Sequence, residues 1–306
     1  MDIAVVGGAG FVGSALTRRL LADGHGVTVF DNTSRGDKSN VPQGVSFYEA
    51  DARQGLSLRG YDWVYDLAAR VAGARDLYKD PATLLSDNIA ITTGVLRSVA
   101  ESKVPNYFFV SSSCVYDFPG AKVPHVEEDT NICDTSYGFS KVVGEQMTKW
   151  YARQYGFNAR IARLFNVYGP GDSPKSPHVI PDFLKKAEEA RTTGEFPIFG
   201  DGTQTRAFTW MDDVVDGLVK IAHFGEHLQP YNVGTAHQTS MRELAELVCE
   251  VAGVSPVRFT MEATPPPKED IQKRSADNSK LRALGWEPQT SLRQGIERMI
   301  EVPVAR

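Results

Sequence analysis

An apolar run over residues 2–6 leads directly into Gly7-Gly8-Ala9-Gly10-Phe11-Val12-Gly13. A second run, Val27-Thr28-Val29-Phe30-Asp31, ends in an acid 18 residues beyond the last of those glycines. Strand, glycine turn, helix, strand and acid in this order leave few folds open. Gly7 permits a tight turn out of the first strand, Gly10 lets the backbone approach a pyrophosphate, and Gly13 lets a helix over residues 14–22 pack on the sheet with its N-terminus facing the anion. Asp31 can accept hydrogen bonds from an adenosine ribose and would repel a 2′-phosphate. NAD, rather than NADP, is therefore the expected cofactor.

Strand-like runs at residues 3–6, 27–30, 45–48, 63–67, 107–111 and 159–164 alternate with helical patterns at 14–22, 84–101 and 140–155. The alternation predicts βαβ units and an α/β fold with a doubly wound parallel sheet of Rossmann type. After residue 166 the pattern breaks into loops rich in proline and glycine, with helices expected at 180–190, 212–224 and 240–252. The expected organisation is an NAD-binding domain over residues 1–166, joined by a returning segment near 208–219, and a smaller C-terminal substrate lobe over 167–306.

The chain has 306 residues, 42% of them hydrophobic, and a formal net charge of -5. That content is ample for a large core and argues against disorder, while the mild acidity argues against a nucleic-acid surface. Cys114, Cys133 and Cys249 have no paired spacing, so neither a disulfide framework nor a zinc site is expected. His25, His125, His223, His227 and His237 are scattered without ligand spacing, and no metal is expected. The first core strand begins at the N-terminus and no apolar stretch is long enough for a bilayer, which points to a cytoplasmic protein with no membrane partner.

Tyr137 and Lys141 are four residues apart, a spacing that on a helix places phenol and ammonium on one face. A neighbouring cation lowers the pKa of a phenol, and a phenol needs such help to act as a base near neutrality. Ser112, at the carboxyl end of a predicted strand, is placed to bond the same substrate oxygen. Such a serine is also common as a simple helix cap.

These residues, together with Leu67-Ala68-Ala69, Asn88, the segment Ser111 to Tyr116, Arg163 to Pro170, Gly200 to Arg206 and Asn232-Val233-Gly234, resemble an extended short-chain dehydrogenase/reductase of the nucleotide-sugar epimerase and dehydratase group. The resemblance covers nearly the whole chain. It implies that Gly7, Gly10, Phe11, Val12, Asp31, Asn32, Asp51, Ala52, Leu67, Ala68, Ala69, Asn88, Ser111, Tyr137 and Lys141 line the cofactor cleft. It implies further that Ser113, Asn166, Val179, Phe183, Arg206 and Arg274 hold a nucleotide-diphosphate sugar, UDP- or GDP-linked, the two arginines offering planar donor forks to the diphosphate. Phe183, Ile198 and Phe199 are candidates to stack beside the base. A homodimer through the helices at 84–101 and 140–155 is also implied.

The implied first step is proton removal from a sugar hydroxyl by Tyr137 with hydride transfer to NAD, giving a keto-sugar. Dehydratases of the group carry an Asp-Glu pair after the catalytic hydroxyl; Ser113 and Cys114 stand there instead, which disfavours dehydration. Ser112-Ser113-Cys114-Val115-Tyr116 resembles the segment of GDP-mannose 3,5-epimerases, in which a cysteine exchanges protons at carbons activated by the keto group. A thiol suits that task when a nearby cation lowers its pKa. Such an enzyme needs a second acid/base, for which His178 and Lys175 are the candidates. The plainer alternative is that Cys114 is a small buried residue filling space. Two further departures from the group are Asp66, where histidine is usual, and Ala207, where aspartate commonly follows the arginine.

Overall fold

Alternation within the first strand decides which face of the sheet each residue serves. In β1 (Asp2–Val6), Ile3 and Val5 join one apolar cluster and Ala4 and Val6 the other, so the strand is covered on both sides. The structure, a computed structural model, describes residues 1–71, 79–118, 120–129, 133–172, 178–255, 257–262 and 273–301. α1 (Phe11–Ala22) follows β1, then β2 (Gly26–Asp31), β3 (Ser46–Glu49), β4 (Trp63–Asp66), α2 (Pro81–Ser102), β5 (Asn106–Ser112), α3 (Ser136–Tyr155), β6 (Asn158–Leu164) and β7 (Val167–Tyr168). The remaining elements are α4 (Val179–Thr193), β8 (Glu195–Phe199), β9 (Thr205–Arg206), β10 (Thr209–Trp210), α5 (Met211–Phe224), β11 (Pro230–Val233), β12 (Thr239–Ser240), α6 (Met241–Ala252), β13 (Arg258–Glu262), β14 (Lys273–Arg274), α7 (Ser279–Arg282) and α8 (Leu292–Glu301).

Seven strands form one parallel sheet in the order β3-β2-β1-β4-β5-β6-β11. The order reverses between β1 and β4, and that switch point is where open α/β sheets bind ligands. Six of the strands lie where the sequence places them. The seventh, β11, is four buried residues opening on a proline, too short to show a period. α1 and α5 cover one face with Leu16, Val214, Leu218 and the fully buried Trp286. α2 and α3 cover the other with Val95, Leu96, Val99 and Ala152. Each large apolar side chain so buried contributes about 1.5–3 kcal/mol.

A third cluster, built by α4, β8, α6 and α8, packs Phe183, Phe196, Ile198, Leu244 and Val248 together. Phe183 meets Phe196 edge-on at 5.1 Å and Ile198 is fully buried. The expectation that these two side chains flank a nucleotide base is therefore corrected: both belong to the core of this lobe. α3 starts at Ser136, earlier than expected, because the Thr135 hydroxyl accepts from Gly138 N and caps the first turn.

A buried polar network ties the sheet to α3. Arg163 on β6 donates to both carboxylate oxygens of Glu145 on α3 (2.9 and 2.7 Å), to the Tyr116 hydroxyl (2.7 Å) and to Glu127 O (3.0 Å). Ser111 donates to Glu145 at 2.7 Å, and Tyr116 donates to Asn232 of β11 at 2.8 Å. Removing one partner of a buried ion pair leaves an uncompensated charge, so Glu145→Ala should destabilise the protein by about 3–5 kcal/mol. Urea unfolding checks this; a loss below about 1 kcal/mol, the level of a surface pair, would contradict it.

Candidate active site

The glycine turn leaves β1 at the carboxyl edge of the sheet. Gly7 sits at φ +81°, and a Cβ there would stand 2.8 Å from Ala68 N in the loop after β4. At Gly13 a Cβ would lie 2.1 Å from Gly7 O, so the helix and turn are in contact through bare backbone. α1 begins at Phe11 with Gly10 as N-cap and no side-chain cap, which leaves its first amides for an anion. Asp31 ends β2 with one oxygen accepting from Ala9 N (3.0 Å) and the other from Thr33 N (2.8 Å), so the acid also braces the turn. Bare glycine backbone, an uncapped helix start and an acid at the end of β2 fit the pyrophosphate and ribose of NAD.

Other residues expected at the cofactor have structural employment. Both ends of the Asn88 amide hold Arg70 backbone atoms, accepting from N at 2.7 Å and donating to O at 3.0 Å. Its amide thus shapes the Leu67-Ala68-Ala69 loop. The Ser111 hydroxyl is engaged by Glu145, and Ser113 is buried in the turn after β5, so neither side chain serves the cleft as expected. Arg53 donates to both Asp51 oxygens and holds that carboxyl below its usual range. Ala52 packs in the core against Gly94 of α2. Asn32 is exposed and accepts from Ser34 N at 3.1 Å.

Tyr137 and Lys141 share the first turns of α3, as their spacing requires. Lys141 Nζ donates to Val110 O at 2.9 Å and lies 5.9 Å from the Tyr137 ring centroid. Burial pulls the Lys141 pKa down, and the charges of Asp66 and Glu145 oppose it. Burial lifts the Tyr137 phenol well above its usual value, and Cys114 adds to the rise. What pulls it down is the Ser112 hydroxyl and the charge of Arg35, so the expected depression by Lys141 is corrected. Asp66, on β4, accepts from the Tyr107 hydroxyl at 2.7 Å and Ala68 N at 3.2 Å; burial raises its carboxyl to about 6. Ala207 is completely buried, its N–H on Arg274 O.

Cys114 is half-buried in the turn after β5. Its N–H donates to the Ser112 hydroxyl at 3.2 Å. Burial pushes the thiol up to about 11, with Arg274 acting downwards and Asp117 upwards. The expectation of a cation-lowered thiol is thus reversed. His178 stacks on Phe11, ring centroids 6.0 Å apart, and its Nδ1 lies 2.9 Å from both oxygens of the nearly buried Asp172. Phe11 opens α1 at the glycine turn, so the stack brings His178 to the cofactor side. Lys175 lies outside the described residues.

Arg206 on β9 and Arg274 on β14 are register partners on adjacent strands. Arg274 forms an ion pair with Asp117, 4% exposed. Asn166 takes φ +35° and donates to Ala207 O at 3.0 Å, and Val179 opens α4 partly buried. Asp117, Asp172 and Arg35 were missed from the sequence, since a single charge in a loop carries no periodic signal. Among the described residues no three side chains gather as a metal site, and no helix is long and apolar enough to cross a membrane.

Residues 3–234 match the model of the NAD dependent epimerase/dehydratase family, and the chain belongs to that family. Over 98% of its length it is 33% identical to UDP-glucuronic acid decarboxylase 1 of Arabidopsis thaliana, covering 69% of that protein. It is 27% identical to GDP-mannose 3,5-epimerase 1 of Oryza sativa subsp. japonica, over 97% of the chain and 80% of the relative. The fold superposes with a TM-score of 0.88 on the UDP-glucose 4-epimerase of Thermotoga maritima with UDP-glucose, 31% identical and 98% covered in both chains. Epimerases and a decarboxylase thus share this architecture.

Gly13→Ala should weaken NAD binding at least ten-fold, about 1.4 kcal/mol, because the added methyl meets Gly7 O. Isothermal titration with NAD measures it; unchanged affinity would contradict the glycine contact.

Proposed function

We propose that the protein is an NAD-dependent epimerase of nucleotide-diphosphate sugars that works through a transient 4-keto-sugar and exchanges protons at C3 or C5. One observation carries the choice: two further acid/base groups are present, Cys114 beside Tyr137 and His178 oriented by Asp172. A simple 4-epimerase needs neither.

The reading assigns residues 1–166 with the returning segment near 208–219 to NAD, and 167–306 mainly to the sugar nucleotide. Gly7, Gly10, Phe11, Val12 and Asp31 would hold the cofactor, which supplies the hydride acceptor. Tyr137 takes the proton of the sugar hydroxyl while Ser112 bonds the same oxygen, and Ser112 and Arg35 favour the phenolate against burial. Arg206 and Arg274 receive the diphosphate. Once the ring carries a keto group, its neighbouring carbons become acidic. Asp172 holds His178 Nδ1, leaving Nε2 as the free ring nitrogen, so His178 and Cys114 form a base and an acid for those carbons.

Incubation with UDP- and GDP-sugars in deuterium oxide, read by NMR and mass, is the direct test. Deuterium should enter the recovered sugar at C3 or C5, and Cys114→Ser and His178→Asn should each slow that exchange about 10²–10⁴-fold. Inversion at C4 without deuterium, or loss of water or carbon dioxide, would refute the proposal.

We also infer a homodimer. α2 and α3 lie together on one face of the sheet, and α3 exposes Trp150 (66%) and Tyr155 (53%) there. Light scattering should give twice the chain mass of 33.6 kDa. A monomer at working concentration would sink this.

A further inference from the structure

Asp117 sits where the two halves of the site meet. Its N–H donates to Cys114 O at 3.1 Å, and its carboxylate is hydrogen-bonded by the Cys114 thiol while paired with Arg274. The charge of Arg206 reaches the same carboxylate. Asp117 and Arg274 are 4% and 13% exposed, so water screens their interaction weakly. A nearly buried acid between two arginines and a thiol has no role in the chemistry assigned above.

We propose that Asp117 is a positioning residue that couples the diphosphate-binding arginines to Cys114, holding Arg274 beside the thiol until the diphosphate of the substrate draws the guanidinium away. This rests on the assignment of Cys114 and the two arginines in the proposed function. The consequence follows from charge alone. Arg274 favours a thiolate and Asp117 opposes one. When a diphosphate takes Arg274, the thiol loses its cation and keeps its anion, so Cys114 enters the reaction as a proton donor. The proton passes from Sγ to the ring carbon, and the thiolate regains one from solvent during turnover.

The other groups around the thiol do not replace this control. Ser112 presents a neutral hydroxyl from β5, and Tyr137 from α3 a neutral phenol. Lys141, also on α3, interacts with Cys114 but is held by Val110 O and balanced by Asp66 and Glu145. Cys133 donates its thiol to Cys114 O at 3.0 Å and adds no charge.

The test follows the ¹³Cβ resonance of Cys114 with pH in cysteine-labelled protein, assigned with Cys114→Ser. Asp117→Asn should lower the thiol titration by about one pH unit, ten-fold in thiolate fraction below the midpoint. Arg274→Gln should raise it, and saturating UDP or GDP should raise it in the unaltered protein. Opposite signs are the signature, because a pocket merely loosened and hydrated would move both variants down towards an ordinary thiol. Equal signs, no movement, a fall on nucleotide binding, or no binding of either nucleotide would overturn the coupling. If Asp117→Asn does not fold, Arg274→Gln and the nucleotide titration still decide. Failure of the epimerase reading is seen separately, as proton exchange that persists in Cys114→Ser while these shifts remain.

Discussion

The ion pair between Arg163 and Glu145 fixes the geometry on which the site depends. Both side chains are nearly buried, and between them they gather β5, β6 and α3, with Tyr116 carrying the link on to Asn232 in β11. Buried charge of this kind is a weak source of net stability but a strong constraint on arrangement, since every alternative packing strands a charge in low dielectric. Glu145 lies one helical turn beyond Lys141, and Tyr116 lies two residues beyond Cys114. The network therefore sets the phenol, the ammonium and the thiol relative to one another from behind, without any of them taking part in it.

The same division of labour recurs around the cofactor cleft. Asn88 and Asp66 hold the Leu67-Ala68-Ala69 loop against the glycine turn, and Asp31 braces that turn from β2. Several residues named at the outset as ligands are thus frame residues whose hydrogen bonds are already made. Fixed backbone and an open helix start carry much of what a dinucleotide needs, which leaves the side chains free for structure.

How much of this was legible in the sequence depends on the kind of signal. Six of the seven sheet strands, the glycine turn, Asp31 and the Tyr137–Lys141 spacing were visible because each repeats a local period or a fixed interval. β11 was not, because four residues with proline at the front have no period to show. The burial of Phe183 and Ile198 was hidden too, since an aromatic at the end of an amphipathic helix looks the same whether a core or a ligand covers it. Long-range charge was the least legible. Asp117 meets an arginine 157 residues away, and only the pairing of β14 with β9 brings them together. For the same reason the directions of the Cys114 and Tyr137 shifts were misjudged: cations were foreseen, the depth of burial was not.

The central claim is that three proton-handling groups surround one sugar ring, with Tyr137 at the hydroxyl and Cys114 and His178 at the carbons beside it. A crystal structure with NAD and either UDP-glucose or GDP-mannose tests it most directly. The account expects the Tyr137 hydroxyl on the sugar C4 oxygen, with Cys114 Sγ and His178 Nε2 facing opposite sides of the ring. Finding both on the same side, or His178 turned to solvent with the ring bound, would contradict it.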